Sequence, residues 1–303
     1  MKTFKFLLLI CITIAAVSYS VTVFAETQET TTQTTQSKSH KLKRIKVIVS
    51  KKEMKKYFTK SAFIGSSIGL GQRMYMNSEG KKYMGHPKML VKGCYSFTND
   101  KGGKYSISYK GKSGPGRYAV KRSKSKRVFI NMGTNDLFEG HKRVFARYKK
   151  YIASMQKANK GIVIYIESMP PVHKSGEKSN LNNRNVNKLN KKLENYCKKK
   201  KDVYYIDITT PLKDKRGGLR TKYCSDHYVH ITMAGYRVWT KKVYKYVKSN
   251  LKAEKKAKVA VKYAKKYRAA NEIQRAKKLV SKLHNSTFKT KLKKKLKKVK
   301  VKE

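Results

Sequence analysis

Gly65-Ser66-Ser67-Ile68-Gly69 follows directly on the apolar run Ser61-Ala62-Phe63-Ile64. A serine at a strand-to-helix turn can expose its hydroxyl at the sheet edge while its backbone N–H turns inward. Further on, Gly133-Thr134-Asn135-Asp136 closes a second apolar run, and an amide at such a strand end can donate to a developing oxyanion. Ser225-Asp226-His227-Tyr228-Val229-His230 puts a carboxylate beside two imidazoles. A His can accept a serine proton, and an Asp can fix its tautomer and stabilise the imidazolium. His227, His230 and Asp226 also admit a metal reading, but no further ligand set accompanies them. Gly111, in Lys110-Gly111-Lys112-Ser113-Gly114-Pro115-Gly116, has an N–H that no Cβ would screen from a ligand. The Walker spacing that would cradle a nucleotide phosphate is absent from that stretch.

These residues need a scaffold that brings strand ends together. Short apolar runs at 61–64, 105–109, 128–132, 162–166 and 203–206 read as strands. Arg143 to Ala158, Val186 to Tyr196 and Ala234 to Val247 carry helical spacing between and after the later ones. Alternation of this kind predicts a three-layer α/β/α sandwich on a mostly parallel sheet of about five strands. In such sheets ligands gather at the carboxyl ends of the strands, where the polar blocks lie. Gly65 to Gly69 also fits the serine elbow of α/β-hydrolases. Those enzymes place several strands ahead of it, whereas one precedes it here, which disfavours that fold.

In chain order, the serine block, a glycine, the Gly-x-Asn-Asp block and a terminal Asp…His block resemble the SGNH (GDSL-like) hydrolase superfamily, from about Ala62 to Val247. The resemblance implies a flavodoxin-like SGNH fold, a serine ester hydrolase and no cofactor or metal. By position it makes Ser67 the nucleophile, His230 the base and Asp226 its orienting carboxylate. The Ser67 N–H, the Gly111 N–H and the Asn135 amide become the oxyanion hole. The family's habits point to removal of an acyl group, most simply acetyl, from a carbohydrate or cell-wall polymer. Two departures stand out. The usual Gly-Asp-Ser is Gly65-Ser66-Ser67 here, and Asp226 lies four residues before His230, with His227 in the usual place. The alternative these departures favour is a catalytically weak protein of the same fold that binds anionic wall polymers.

The remaining sequence concerns place and attachment. Lys2 and Lys5, an apolar run from Phe6 to about Val23 and the small residue Ala25 predict a signal peptide over residues 1–25 and an extracellular or cell-surface protein. An uncleaved anchor is the other reading of the same run. Residues 26–40, rich in Thr and Gln, read as a linker, and residues 41–250 as the hydrolase-like domain. Cys94, Cys197 and Cys224 allow one disulfide with a spare thiol, or three thiols. The net charge of +58 must attract polyanions; no nucleic-acid-binding motif accompanies it, and an exported chain would meet anionic wall polymers instead. Residues 251–303 carry 21 basic and three acidic residues on helical stripes, and predict a basic helical C-terminal module. The stripes resemble small helical repeat modules of Gram-positive surface proteins. Asn271 reads as an N-cap there, and His284 to Thr287 as a turn.

Overall fold

The computed structural model describes residues 40–302. The expected leader, and the linker up to residue 39, lie outside the described residues.

α1 (Lys51–Thr59) opens with a capping box in which Ser50 and Glu53 satisfy each other's backbone N–H groups. β1 (Ser61–Gly65) follows and is buried along its whole length. α2 (Ser67–Tyr75) runs through a wide turn at 76–80 into the short α3 (Lys81–Met84), and then β2 (Lys88–Val91). A small hairpin, β3 (Ile107–Tyr109) with β4 (Lys112–Gly114), leads to α4 (Gly116–Arg122). β5 (Arg127–Asn131), α5 (His141–Ala158), β6 (Val163–Glu167), α6 (Asn183–Lys199) and β7 (Val203–Ile206) complete the alternation. The sheet order is β2-β1-β5-β6-β7, and every neighbouring pair is parallel.

The five-stranded parallel sheet agrees with the sequence, but one of its strands does not. The alternating 105–109 segment belongs to the separate hairpin, and the fifth strand is β2 at the sheet edge. Only Lys88-Met89-Leu90-Val91 spans it, directly after Pro87, so its apolar run is too short to stand out.

One face of the sheet carries an aromatic row in strict register. Phe63 pairs with Phe129, Phe129 with Tyr165 and Tyr165 with Tyr204. The rings stack across four strands at 4.5, 4.5 and 4.9 Å between centroids. Side chains repeat every second residue along each strand, so one shared register places all four rings on the same face. Phe58 of α1 covers them, with Tyr244 from α7 (Met233–Tyr267) stacked on it in turn.

α7 is a single 35-residue helix that runs straight through the predicted boundary at residues 250 and 251. Its first half contributes Trp239, Val243 and Val247 to the main core. Its second half contributes Ala257, Ala260, Val261 and Ala264 to a separate small core, completed by α8 (Ala270–Ser281) and α9 (Thr287–Lys297). Ala269, not Asn271, caps α8; the Asn271 amide donates instead to the His40 carbonyl at 2.5 Å. The 284–287 turn docks on the sheet's lower end: the His284 ring lies 4.0 Å from Tyr204, and the Thr287 N–H donates to Asp202 at 2.8 Å. Cys94, Cys197 and Cys224, the cysteines among the described residues, are free thiols. No helix among the described residues is long and apolar enough to cross a membrane.

Candidate active site

Ser67 is the first residue of α2, immediately beyond β1. The first-turn N–H groups of a helix have no partner within it, and the helix dipole adds partial positive charge there. Gly65 makes this turn tight: a Cβ on it would stand 2.9 Å from the Asn131 carbonyl oxygen of the neighbouring strand. Tyr236 of α7 donates to the Ile68 carbonyl at 2.7 Å and ties the start of α2 down. Ser66 is buried, and its hydroxyl makes no capping bond.

His230 Nε2 lies 3.1 Å from Ser67 Oγ, and His230 Nδ1 lies 2.5 Å from Asp226 Oδ2. The Nδ1 proton therefore belongs on the aspartate side, which leaves Nε2 as an acceptor facing the serine. Asp226 Oδ1 accepts the N–H groups of Tyr228, Val229 and His230 at 2.9, 3.0 and 3.1 Å. Partial burial pushes the Asp226 carboxyl upward, but the His230 ring and these backbone donors outweigh it and hold the group below its usual range. The wide Asp226–His230 spacing is absorbed at His227, whose φ of 53° is left-handed. Ser225 N–H donates to the His230 carbonyl at 3.0 Å and closes the loop. His227 itself faces His173, with ring centroids 5.2 Å apart, and takes no part in the serine contact.

Asn135 sits in the turn that follows β5. One of its amide hydrogens donates to the Tyr95 carbonyl at 3.1 Å, which fixes the side chain and leaves the other free. Asp136, wholly buried, holds the facing loop by accepting the Phe97 N–H (3.1 Å) and the Thr98 hydroxyl (3.1 Å), with Arg147 3.3 Å away. Burial raises the Asp136 carboxyl above its normal range, against the pull of these donors. Sequence reasoning gave no role to Asp136 or Tyr95; both act through loops that only the fold brings together.

Gly111 requires correction. It lies at the tip of the β3–β4 hairpin with φ of 73°, and a Cβ there would meet nothing within 4 Å. Its glycine serves the turn and not an anion site. The strand-end glycine is Gly93. Val91 pairs with Gly65, so Gly93 and Ser67 stand equally far beyond their paired residues at the carboxyl edge of the sheet. Lys92 N–H donates to the Gly65 carbonyl at 3.2 Å, and the Gly93 N–H has no partner among the described residues. The signal was present as a glycine two residues past Val91, but it counts only once β2 is known to be a strand.

A cleft of about 560 Å³ opens beside the His230 loop, lined by Cys94, Asn99, Asn135, Phe138, Lys178 and Tyr228 among others. The residues that could bind a metal do not gather: the described residues contain no group of three or more His, Cys, Asp or Glu able to hold one.

Beneath the site, Glu167 ends β6 fully buried, with neither carboxyl oxygen hydrogen-bonded among the described residues. Burial raises it to about 8, and the nearby Trp239 indole N–H relieves only part of this without reaching a full hydrogen bond. A carboxyl raised in the folded state contributes stability that is complete below its unfolded value near 4.5 and lost as pH rises through about 8. Glu167→Gln should therefore raise the melting temperature at pH 9, by an amount worth on the order of 5 kcal/mol, and leave it unchanged at pH 4. An equal change at both pH values would mean that packing, not ionisation, is at stake.

The profile of the GDSL-like lipase/acylhydrolase family matches residues 63–238. The chain belongs to that family. Its members hydrolyse esters, and the parallel sheet with helices on both faces is the SGNH fold. Among solved structures, a GDSL-like lipase from Bacteroides thetaiotaomicron is 19% identical, with a TM-score of 0.48 over 62% of this chain and 87% of that one. The catalytic domain of a peptidoglycan O-acetyltransferase from Streptococcus pneumoniae is 12% identical, with a TM-score of 0.45 over 62% and 92%. A family 3 carbohydrate esterase from Talaromyces cellulolyticus is 14% identical, with a TM-score of 0.40 over 62% and 95%. No curated protein matches the chain.

Proposed function

We propose that this ester hydrolase is an exported acyl- or acetylesterase acting on a carbohydrate or cell-wall polymer, with Ser67 as nucleophile, His230 as base and Asp226 as the orienting carboxylate. The continuous Ser67–His230–Asp226 relay, at 3.1 and 2.5 Å, carries the reading. In this mechanism Ser67 Oγ attacks the acyl carbon and its proton passes to His230 Nε2. The carbonyl π electrons move onto oxygen. That oxyanion is met by the Ser67 N–H, the free hydrogen of the Asn135 amide and, in place of Gly111, the Gly93 N–H. Collapse expels the alcohol, which takes the proton from His230 and leaves acyl-Ser67. Water then attacks the acyl group, gives a proton to His230, and the acid leaves as Ser67 regains that proton.

The open site agrees with a bulky substrate, since the His230 and Asp226 side chains are 44% and 32% exposed. Export rests on the residues of the leader, and attachment to anionic polymers on the basic tail. The intact relay argues against the catalytically weak alternative. Purified protein should release acetate from an O-acetylated glycan, and Asn135→Ala should lower kcat on p-nitrophenyl acetate by about 10²- to 10³-fold with an unchanged melting temperature. Full activity of that variant would remove Asn135 from the oxyanion hole, and a protein that cleaves only long-chain esters would remove the glycan reading.

A further inference from the structure

We propose that the groove between α8 and α9 binds a phosphodiester polymer with an aliphatic backbone. This deepens the attachment role given to the tail and does not depend on the ester chemistry. The groove encloses about 420 Å³. Its floor is Val280, Leu296 and Val299, and its rim is Lys277, Lys293 and Lys297. The two helices present the same pattern. Lys277 lies three residues before Val280, and Lys293 three before Leu296, so each lysine stands on the same face as its apolar partner.

Four other basic side chains of the tail, those of Lys255, Arg268, Arg275 and Lys289, are committed elsewhere. Lys289 donates to the Ser281 and Leu283 carbonyls at the end of α8. Lys255 pairs with Glu53, Arg275 with Glu272, and Arg268 donates to the Lys300 carbonyl. Lys277, Lys293 and Lys297 are exposed, and none has an ion-pair or hydrogen-bond partner among the described residues. No acid lines the groove, and Glu272 is buried beneath Arg275.

The lining also selects among anions. It contains no aromatic ring on which a nucleobase could stack and no Arg, Asn or Gln that could read a base edge. Lysines act as point charges suited to phosphate, whereas planar carboxylates favour the arginine fork. The apolar floor between Lys277 on one side and Lys293 and Lys297 on the other suits an aliphatic segment linking successive phosphates.

The test measures binding of the full chain to poly(glycerol phosphate) and to oligo(dT) as a function of salt. Lys277→Gln, Lys293→Gln and Lys297→Gln combined should make the slope of log affinity against log salt shallower by roughly three, about one per lysine. A charge-matched control, Lys252→Gln, Lys258→Gln and Lys265→Gln, should leave the slope near that of the parent, with melting temperatures verifying both folds. Equal losses in the two triple variants would overturn the groove and leave only net charge. Tighter, groove-dependent binding of oligo(dT) would overturn it in favour of nucleic acid. No binding of poly(glycerol phosphate) by the parent chain would overturn the attachment role itself, with ester hydrolysis untouched.

Discussion

Ser67→Ala is expected to lower kcat on p-nitrophenyl acetate by about 10⁶-fold, because removing a serine nucleophile disables the whole relay and not one contact of it. The comparison that gives this result its meaning is Ser66→Ala. Ser66 is one residue away and is buried, and its hydroxyl caps nothing. Its loss should leave most of the activity in place. A fluorophosphonate should label the parent chain and the Ser66 variant, and fail to label Ser67→Ala. Labelling that followed Ser66 would reverse the roles of the two residues.

The second large effect is expected at Asp226. Its two oxygens do different work: Oδ1 gathers three backbone N–H groups and shapes the loop, and Oδ2 holds the His230 ring. Asp226→Asn keeps one carbonyl oxygen for the backbone donors but turns an amide toward His230. The ring would then present Nδ1 as the acceptor and place its proton on Nε2, facing Ser67. Such a tautomer change costs about 10⁴ in kcat where it has been made in a triad. The loop should survive, so the variant should melt near the parent temperature. Activity within tenfold of the parent would show that His230 needs no carboxylate.

These residues also show how much of the site was legible in the sequence. Ser67 and Asn135 each sit in a short block directly beyond a strand with clear periodicity, and His230 sits in one directly ahead of the helical stripe of α7, so residue type and position along the chain already agree. The Asp226 spacing could not be judged from sequence. Whether one extra residue breaks a triad depends on whether a side chain such as His227 accepts a left-handed backbone, a local conformation with no compositional signature. The Gly111 assignment failed for a different reason. It required a strand at 105–109 in the main sheet, and the sheet instead takes an edge strand of four residues. Edge strands are buried on less of their surface and are short, so their hydrophobic pattern is the weakest in the fold. The tail's helices were legible from their stripes. The continuity of α7 across residue 250 was not, because no breaker marks that position and helical spacing alone does not fix which core each half joins.

The division of α7 between two cores has a spectroscopic consequence. The chain has one tryptophan, and Trp239 lies in the main core, in the half of the helix away from the tail's cluster. Intrinsic fluorescence excited at the indole band thus reports on the catalytic half alone, while far-ultraviolet circular dichroism sums over every helix. If the tail's small core melts first, ellipticity will fall while the emission maximum stays blue. The interval between the two curves then measures how far the shared helix couples one core to the other, without a label or a shortened chain.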